Sequence, residues 1–249
     1  MATFVLVHGA WHGGWCWKRL TSLLRTTPVE VGYPAAHEVY TPTLTGLGER
    51  AHLLSPAIDL DTHVQDVVGL LNYEDLQEVI LGGHSYGGMV ITGVAERAAE
   101  RLRHVVYLDA FLPQDGQSLL DLFPADAQAR TLARAQAEGE GWYLPPLEQE
   151  AEEPFGVTDP KDILWLRSKL SAHPVKTFQQ PISRRNPVAA TLPHTFIECT
   201  GTGWFAQFAE RARSEPGWRH HELLTGHDAM ITTPTDLAGL LVPLGPAAV

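Results

Sequence analysis

Short apolar runs recur along the chain, and longer amphipathic stretches separate them. Runs rich in Val, Ile and Leu that do not strictly alternate with polar residues are typical of strands buried on both faces of a parallel sheet. The runs that predict strands are FVLVHG at 4–9, EVYTPTL at 38–44, EVILGGH at 78–84, HVVYLDA at 104–110, HTFIECT at 194–200 and WRHHELL at 218–224.

Helical periodicity fills three of the intervals between these runs. The segments are WCWKRLTSLLR after the first run, DTHVQDVVGLLNYE before the third, and GMVITGVAERAAERL after it. In the second segment the apolar residues fall on one helix face, and Asp61 is the expected N-cap. Strands that alternate with helices along the chain predict the α/β class, with an open and mostly parallel sheet flanked by helices.

The alternation stops between about residues 112 and 193. This segment is rich in Pro, Ala, Glu and Gln, has helical patches near 117–138 and 160–171, and has no strong strand signal. Ligands of open α/β sheets bind at the carboxyl ends of the strands. We therefore interpret 112–193 as a helical cap, inserted after the strand that ends near Asp109, within a single domain of 249 residues.

Charge and cysteine content argue against several classes of function. The formal net charge is -11, which disfavours a nucleic-acid or anionic-membrane surface. Cys16 and Cys199 lie far apart without a CxxC pair, so a disulfide framework or a thiolate zinc site is not expected. No apolar run approaches the roughly 18 residues of a membrane span, and no basic segment precedes the first run, so we expect a cytoplasmic protein.

One glycine-dense turn holds a candidate nucleophile. Gly83-His84-Ser85-Tyr86-Gly87 fits G-x-S-x-G, follows a strand-like run and opens a helical one. In that setting the Ser takes a strained backbone position that exposes its Oγ, and the flanking glycines remove Cβ atoms that would clash. The competing interpretation is a glycine-rich turn whose Ser caps the helix. We predict that Ser85 is a nucleophile.

Two further loops would complete a site around Ser85. In VHGAWHGGWCW at 7–17, the backbone N–H of Ala10 can point at a developing oxyanion, beside the N–H of Tyr86. In LLTGHDAMITTP at 223–234, His227 follows the last strand-like run, where the general base belongs in the chain order Ser, acid, His. That position separates His227 from the other eleven His residues, most of which we interpret as structural.

With these segments in place, the chain resembles the α/β-hydrolase branch that contains plant methyl esterases, hydroxynitrile lyases and bacterial carboxylesterases of the pyrethroid-hydrolase type. The resemblance rests on FVLVHGAWHGGWCW, HEVYTPTLTGLGER, VILGGHSYGGM, VVYLDAFLP and GHDAM. It implies the α/β-hydrolase fold and a serine hydrolase without a metal or an organic cofactor. Relatives of this kind also suggest a homodimer.

The acid that would orient His227 departs from the usual pattern of these relatives. Most of them have an Asp after the penultimate strand, but ECTGTGWFAQ at 198–207 has none, and Glu198 lies inside the strand-like run. An alternative placement in the superfamily puts the acid one strand earlier, and we predict that Asp109 is this acid. The competing interpretation of Asp109 is a strand-end residue that caps backbone N–H groups. Weaker candidates are Asp115, Asp121 and Asp228.

These residues predict a carboxylic ester hydrolase that forms an acyl-enzyme on a small to medium hydrophobic or aryl ester. Aromatic residues expected to line the substrate pocket are Trp11, Trp142, Tyr143, Phe155, Trp165 and Phe178. Two alternatives are cyanohydrin-type C–C cleavage and a small-molecule receptor with a slow triad. Against the first, the Thr and the Lys that the lyases carry are replaced here by Ala10 and Asp228.

Overall fold

A six-stranded parallel sheet forms the centre of the protein in the computed structural model, which describes residues 1–26, 37–146 and 152–245. Its strands are β1 (Thr3–Val7), β2 (Glu38–Tyr40), β3 (Val79–His84), β4 (Leu102–Leu108), β7 (His194–Cys199) and β8 (Trp218–Leu223), in the order β2-β1-β3-β4-β7-β8. Every neighbouring pair in this sheet is parallel. The predicted α/β class is confirmed.

Helices cover both faces of the sheet. One face packs against α2 (Leu60–Tyr73), α3 (Gly87–Ala98) and α7 (Ala206–Ser214), and the other against α1 (Lys18–Thr26), α8 (Ala229–Thr232) and α9 (Pro234–Leu241). Successive strand residues enter opposite cores, as Ile80 and Leu81 do. Two buried faces explain why the central strands read as continuous apolar runs.

Two strands differ from the predicted pattern. β2 ends at Tyr40, before the predicted end at 44, because Pro42 has no N–H to donate to a neighbouring strand. β8 lies at the predicted position, but it is an edge strand, and only Leu223 among its six residues is buried.

The start of α2 corrects the predicted N-cap. The carboxylate of Asp59, not that of Asp61, accepts the N–H of Thr62 at 3.0 Å, and the Thr62 hydroxyl accepts the N–H of Asp59 at 3.4 Å. This reciprocal pair is a capping box, which satisfies two N–H groups that the first helical turn leaves free. Asp61 lies within the first turn and forms an ion pair with Arg97.

The segment between β4 and β7 holds α4 (Ala125–Glu138), α5 (Pro160–Arg167) and α6 (Lys176–Gln179). α4 begins eight residues later than the predicted patch at 117–138, since Pro124 precedes it and a Ser118–Asp121 turn occupies the chain before that. The segment also holds a two-stranded antiparallel sheet that the sequence did not predict, β5 (Tyr143–Leu144) with β6 (His173–Pro174). Among the described helices, none is long and apolar enough to cross a membrane.

Cap residues reach the carboxyl ends of the strands of the main sheet. The N–H of Ser171 donates to the carbonyl of Trp11, after β1, at 2.9 Å. The carbonyl of Phe155 accepts the N–H of Asp228, after β8, at 3.2 Å. This edge of the sheet is where open α/β folds bind ligands.

Candidate active site

Three residues with left-handed backbone lie at this edge, after three neighbouring strands. The φ angle is 63° at Trp11 after β1, 55° at Ser85 after β3 and 41° at Asp109 after β4. Such angles are uncommon for residues other than Gly, cost about 1–3 kcal/mol each, and cluster at active sites. The connections from β1 and β3 leave in opposite directions across the sheet at this point, which is where ligands of such sheets bind.

The turn at Ser85 is held in its strained form by close packing. A Cβ on Gly83 would lie 2.6 Å from the carbonyl oxygen of Gly87, and a Cβ on Gly87 would lie 2.8 Å from that of Val7. The Ser85 carbonyl accepts the N–H of Phe111 at 3.1 Å. Among the described residues, no group hydrogen-bonds the half-buried Ser85 hydroxyl, which leaves it open to a substrate.

His227 and Asp109 form a buried pair beside this turn. Nδ1 of His227 lies 2.6 Å from Oδ2 of Asp109, and both side chains are almost fully excluded from solvent. The other carboxylate oxygen of Asp109 accepts the N–H of Cys199 at 3.2 Å. A carboxylate at Nδ1 holds the proton there, so the lone pair of the neutral imidazole lies on Nε2, the atom a general base uses.

The sheet register explains how Asp109 comes to lie next to Ser85. His84 at the end of β3 pairs with Leu108 at the end of β4, so the next residue of each strand meets at the same edge. Of the carboxylates considered from the sequence, the structure brings Asp109 to His227.

Glu198 faces different partners. Its carboxylate accepts from Arg213 at 2.8 Å and lies 3.2 Å from Nε2 of His220. Among the described residues, Glu198, His220 and Glu222 are the one close group with ligand types for a metal ion. Arg213 also donates to Glu222 at 2.6 Å, so both carboxylates already bind a guanidinium.

Aromatic rings enclose the imidazole of His227. The rings of Phe205 and His227 are parallel within 3° at 5.0 Å, the ring of His84 lies at 4.3 Å on the imidazole, and the half-exposed Trp204 lies at 5.4 Å. Burial and the neighbouring His227 hold the pKa of His84 well below its usual value, and its Nε2–H donates to the His227 carbonyl at 3.1 Å. The sequence prediction gave these residues no role, although His84 lies within the G-x-S-x-G motif and Trp204 and Phe205 lie within ECTGTGWFAQ.

The two predicted oxyanion donors lie after β1 and β3. Ala10 and Tyr86 are buried, and within the described part of the chain no acceptor takes either backbone N–H. The Tyr86 phenol donates to Nδ1 of His63 at 2.8 Å, because Nε2–H of that ring donates to the carbonyl of Thr45 at 2.9 Å. Burial lowers the pKa of His63 to about 4, so the ring is neutral.

A second buried His–Asp pair joins the loop after β1 to the loop after β8. Nδ1–H of His12 donates to the carbonyl of Ala10 at 2.7 Å, and Nε2 lies 3.0 Å from Oδ2 of Asp228. Asp228 therefore ties the loop of His227 to the loop of Ala10 and does not orient His227.

A cavity of about 400 Å³ opens beside the oxyanion loop. Its lining residues are Trp11, Phe123, Ala127, Arg130, Thr131, Arg134, Leu144 and Phe178. Of the predicted pocket residues, Trp11 and Phe178 are on this wall, and the Phe178 ring lies 5.6 Å from that of Tyr86.

The other predicted pocket residues do not line this cavity. Phe155 is buried between His12 and His227, at ring distances of 4.7 and 6.1 Å. Trp165 packs edge-on against Trp15. Trp142 and Tyr143 pack on each other, and neither reaches the cavity wall.

The sequence of this chain is similar to those of known hydrolases. A family model described as "Alpha/beta hydrolase family" matches residues 4–240. The "Carbendazim hydrolyzing esterase" of Nocardioides sp. (strain SG-4G) is 39% identical over 98% of this chain and 100% of that protein. The "pFDCC methylesterase MES16" of Arabidopsis thaliana is 28% identical over 96% of this chain and 92% of that protein.

Among solved structures, an extracellular α/β-hydrolase from a Paenibacillus species has a TM-score of 0.81 at 24% identity, covering 99% of this chain and 100% of that one. That hydrolase is described as sharing structural and functional homology with tobacco Salicylic Acid Binding Protein 2. The resemblance to methyl esterases and bacterial carboxylesterases that the sequence motifs indicated is confirmed, as is the fold.

Proposed function

This chain belongs to the alpha/beta hydrolase family, and on that premise we propose that it is a serine carboxylesterase with Ser85, His227 and Asp109 as its catalytic triad. The observation that carries the proposal is the buried 2.6 Å contact between His227 and Asp109. Asp109 follows β4, and Ser85 follows the neighbouring strand β3. The N–H groups of Ala10 and Tyr86, for which the described residues offer no acceptor, lie at the same edge.

The reaction follows from this geometry. Ser85 Oγ attacks the ester carbonyl carbon while Nε2 of His227 accepts its proton, and the N–H groups of Ala10 and Tyr86 bind the oxyanion. His227 then protonates the leaving alcohol as the acyl-enzyme forms. Water attacks the acyl-enzyme, gives its proton to His227, and the acid leaves as Ser85 regains the proton. Asp109 stabilises the imidazolium in both halves.

The apolar cavity supports a hydrophobic or aryl ester as substrate. Trp11, Phe123, Leu144 and Phe178 line a cavity whose wall is mostly apolar, although Arg130 and Arg134 also border it. Such surface favours apolar groups over charged ones. Carbendazim belongs in the substrate panel, because a relative of full-length similarity is named for hydrolysing it. Esters that vary the acyl group and the alcohol separately would show which of the two occupies the cavity.

Ser85→Ala tests the nucleophile. We expect the variant to lose p-nitrophenyl ester hydrolysis by about 10⁵–10⁶-fold, the effect of removing a triad serine, and an organophosphonate to label the wild type at Ser85. Ser22→Ala is the matched control, since Ser22 lies on α1 and its hydroxyl donates only to the Lys18 carbonyl. Retained turnover by Ser85→Ala, or a label on another residue, would contradict the proposal.

The lyase alternative receives no support from the site. The position after His227 holds Asp228, a buried carboxylate bonded to His12, where the lyases have a Lys. An assay for aldehyde release from mandelonitrile should therefore be negative.

A further inference from the structure

The cap holds Trp11 at three points. The indole Nε1–H donates to the carbonyl of Leu144 at 3.0 Å, the backbone N–H donates to Nδ1 of His173 at 3.4 Å, and the carbonyl accepts the N–H of Ser171 at 2.9 Å. Leu144 and His173 are opposite each other in the β5–β6 pair, so this small sheet presents both acceptors to one residue. These bonds hold the left-handed backbone of Trp11, the residue after Ala10.

The direction of each hydrogen bond at His173 is fixed by its neighbours. The Thr177 hydroxyl donates its one hydrogen to the carbonyl of Pro174 at 2.7 Å, so it accepts Nε2–H of His173 at 2.8 Å. Nδ1 is then an acceptor, as the N–H of Trp11 requires. Burial lowers the pKa of His173 well below its usual value, which keeps the ring neutral and the acceptor in place.

His173 also contacts the other half of the oxyanion hole. Its ring centroid lies 4.8 Å from that of Tyr86, and the His173 side chain has no exposed surface. The Tyr86 phenol is itself held by His63. A single cap residue therefore contacts both Tyr86 and the neighbour of Ala10.

We propose that His173 is a positioning residue for ester hydrolysis, through which the cap fixes the N–H groups of Ala10 and Tyr86 relative to each other. The inference rests on the proposed function. It gives the cap a part in the chemical step in addition to substrate choice, because misplacing an oxyanion donor by a fraction of an ångström weakens its bond to the transition state.

The test compares an aryl ester that the wild type hydrolyses with the analogue in which sulfur replaces the carbonyl oxygen. Sulfur is larger and a weaker hydrogen-bond acceptor, so the oxo-to-thiono ratio of kcat/KM reports how well the donors fit oxygen. His173→Phe should lower kcat for the oxo ester about ten- to hundredfold, change KM little, and lower the ratio. His173→Asn, whose amide oxygen can replace Nδ1 as acceptor, should restore most of the rate and the ratio.

His104→Phe is the matched control. His104 is also buried and has Nε2 2.8 Å from a Thr hydroxyl, that of Thr195, but it lies near the amino end of β4. This variant should keep the wild-type kcat and ratio. Circular dichroism of each variant reports folding.

A folded His173→Phe enzyme with an unchanged ratio, or a His173→Asn enzyme no better than it, would overturn this inference and leave the esterase proposal standing. A wild type that hydrolyses no ester of the panel would overturn both. Should His173→Phe not fold, Thr177→Val decides, because it removes the hydroxyl that accepts Nε2–H of His173 and so frees the ring to lose its acceptor at Nδ1. A lower ratio supports the inference and an unchanged one overturns it.

Discussion

Asp109 decides which nitrogen of His227 carries the proton. With Asn in its place, the amide can donate to Nδ1 and stabilise the tautomer whose Nε2 already bears hydrogen, which cannot accept the Ser85 proton. We expect Asp109→Asn to lower kcat about 10⁴-fold with little change in KM, as measured by steady-state hydrolysis of a p-nitrophenyl ester at neutral pH.

Glu198→Gln is the control for that experiment. Glu198 is another buried carboxylate that the sequence analysis considered as the acid, but its partners are Arg213 and His220. The variant should keep a kcat close to that of the wild type. A folded Asp109→Asn enzyme with unimpaired turnover would move the acid to another residue.

At the residue scale, local motifs carried the prediction of Ser85 and His227, because each lies in a loop directly after a strand-like run. The sequence favoured Asp109 over Glu198 because Asp109 ends a strand-like run, but the strand register that places Asp109 beside Ser85 is not contained in a sequence pattern. The bonds of His12 to Asp228 and of Trp11 to His173 join residues 216 and 162 positions apart. No spacing rule reaches that far, so these contacts could not be predicted.

The N-terminus of α2 depends on one side chain. Asp59→Ala removes an N-cap acceptor and breaks the capping box, so we expect a loss of about 1 kcal/mol in the free energy of unfolding, measured by urea denaturation. Asp61→Ala, two positions later, removes only a half-exposed ion pair with Arg97 and should cost less than about 0.5 kcal/mol. Equal losses in the two variants would contradict the capping assignment.

At the element scale, the sequence predicted the strands of the central sheet better than the cap. Central strands are buried on both faces, so their apolar runs are unmistakable, as in VILGGH of β3. The two-residue strands β5 and β6 have no such run, and both hydrogen-bond to Trp11, which is distant in sequence. α4 begins directly after Pro124, later than the predicted start near 117. Proline is disfavoured inside a helix, which explains this start once the structure is known.

For the whole molecule, the single domain, the cytoplasmic location and the homodimer stay predictions.

The structure also shows a property that composition does not reveal. Many of the twelve histidines are buried and neutral. Burial lowers the pKa of His8 to about 3 and those of His63, His104 and His194 to about 4. The pKa values of His84 and His173 are also well below the usual value.

These histidines make the fold sensitive to mild acid. Below the unfolded-state pKa of about 6.5 the unfolded chain binds protons that the folded chain excludes, so the free energy of unfolding falls as pH drops from about 6.5 toward 4. Each excluded proton contributes a slope of up to about 1.36 kcal/mol per pH unit. Ion-paired carboxylates such as Asp162, whose pKa is lowered by Arg19, lose their contribution only below about 3.8.

Urea denaturation at half-unit steps from pH 7.5 to 4.5 measures this slope. We expect a nearly constant free energy of unfolding above pH 7 and a steep fall below 6.5, at several times the slope of a single proton. His104→Phe removes one buried histidine outside the catalytic site, and it should reduce the slope between pH 6 and 5 by up to about 1.36 kcal/mol per pH unit. A free energy of unfolding that stays level from pH 7 to 5 would show that these rings bind protons in the folded state as readily as in the unfolded state. The hydrogen-bond directions assigned to His63 and His173 assume neutral rings, and they would then be wrong.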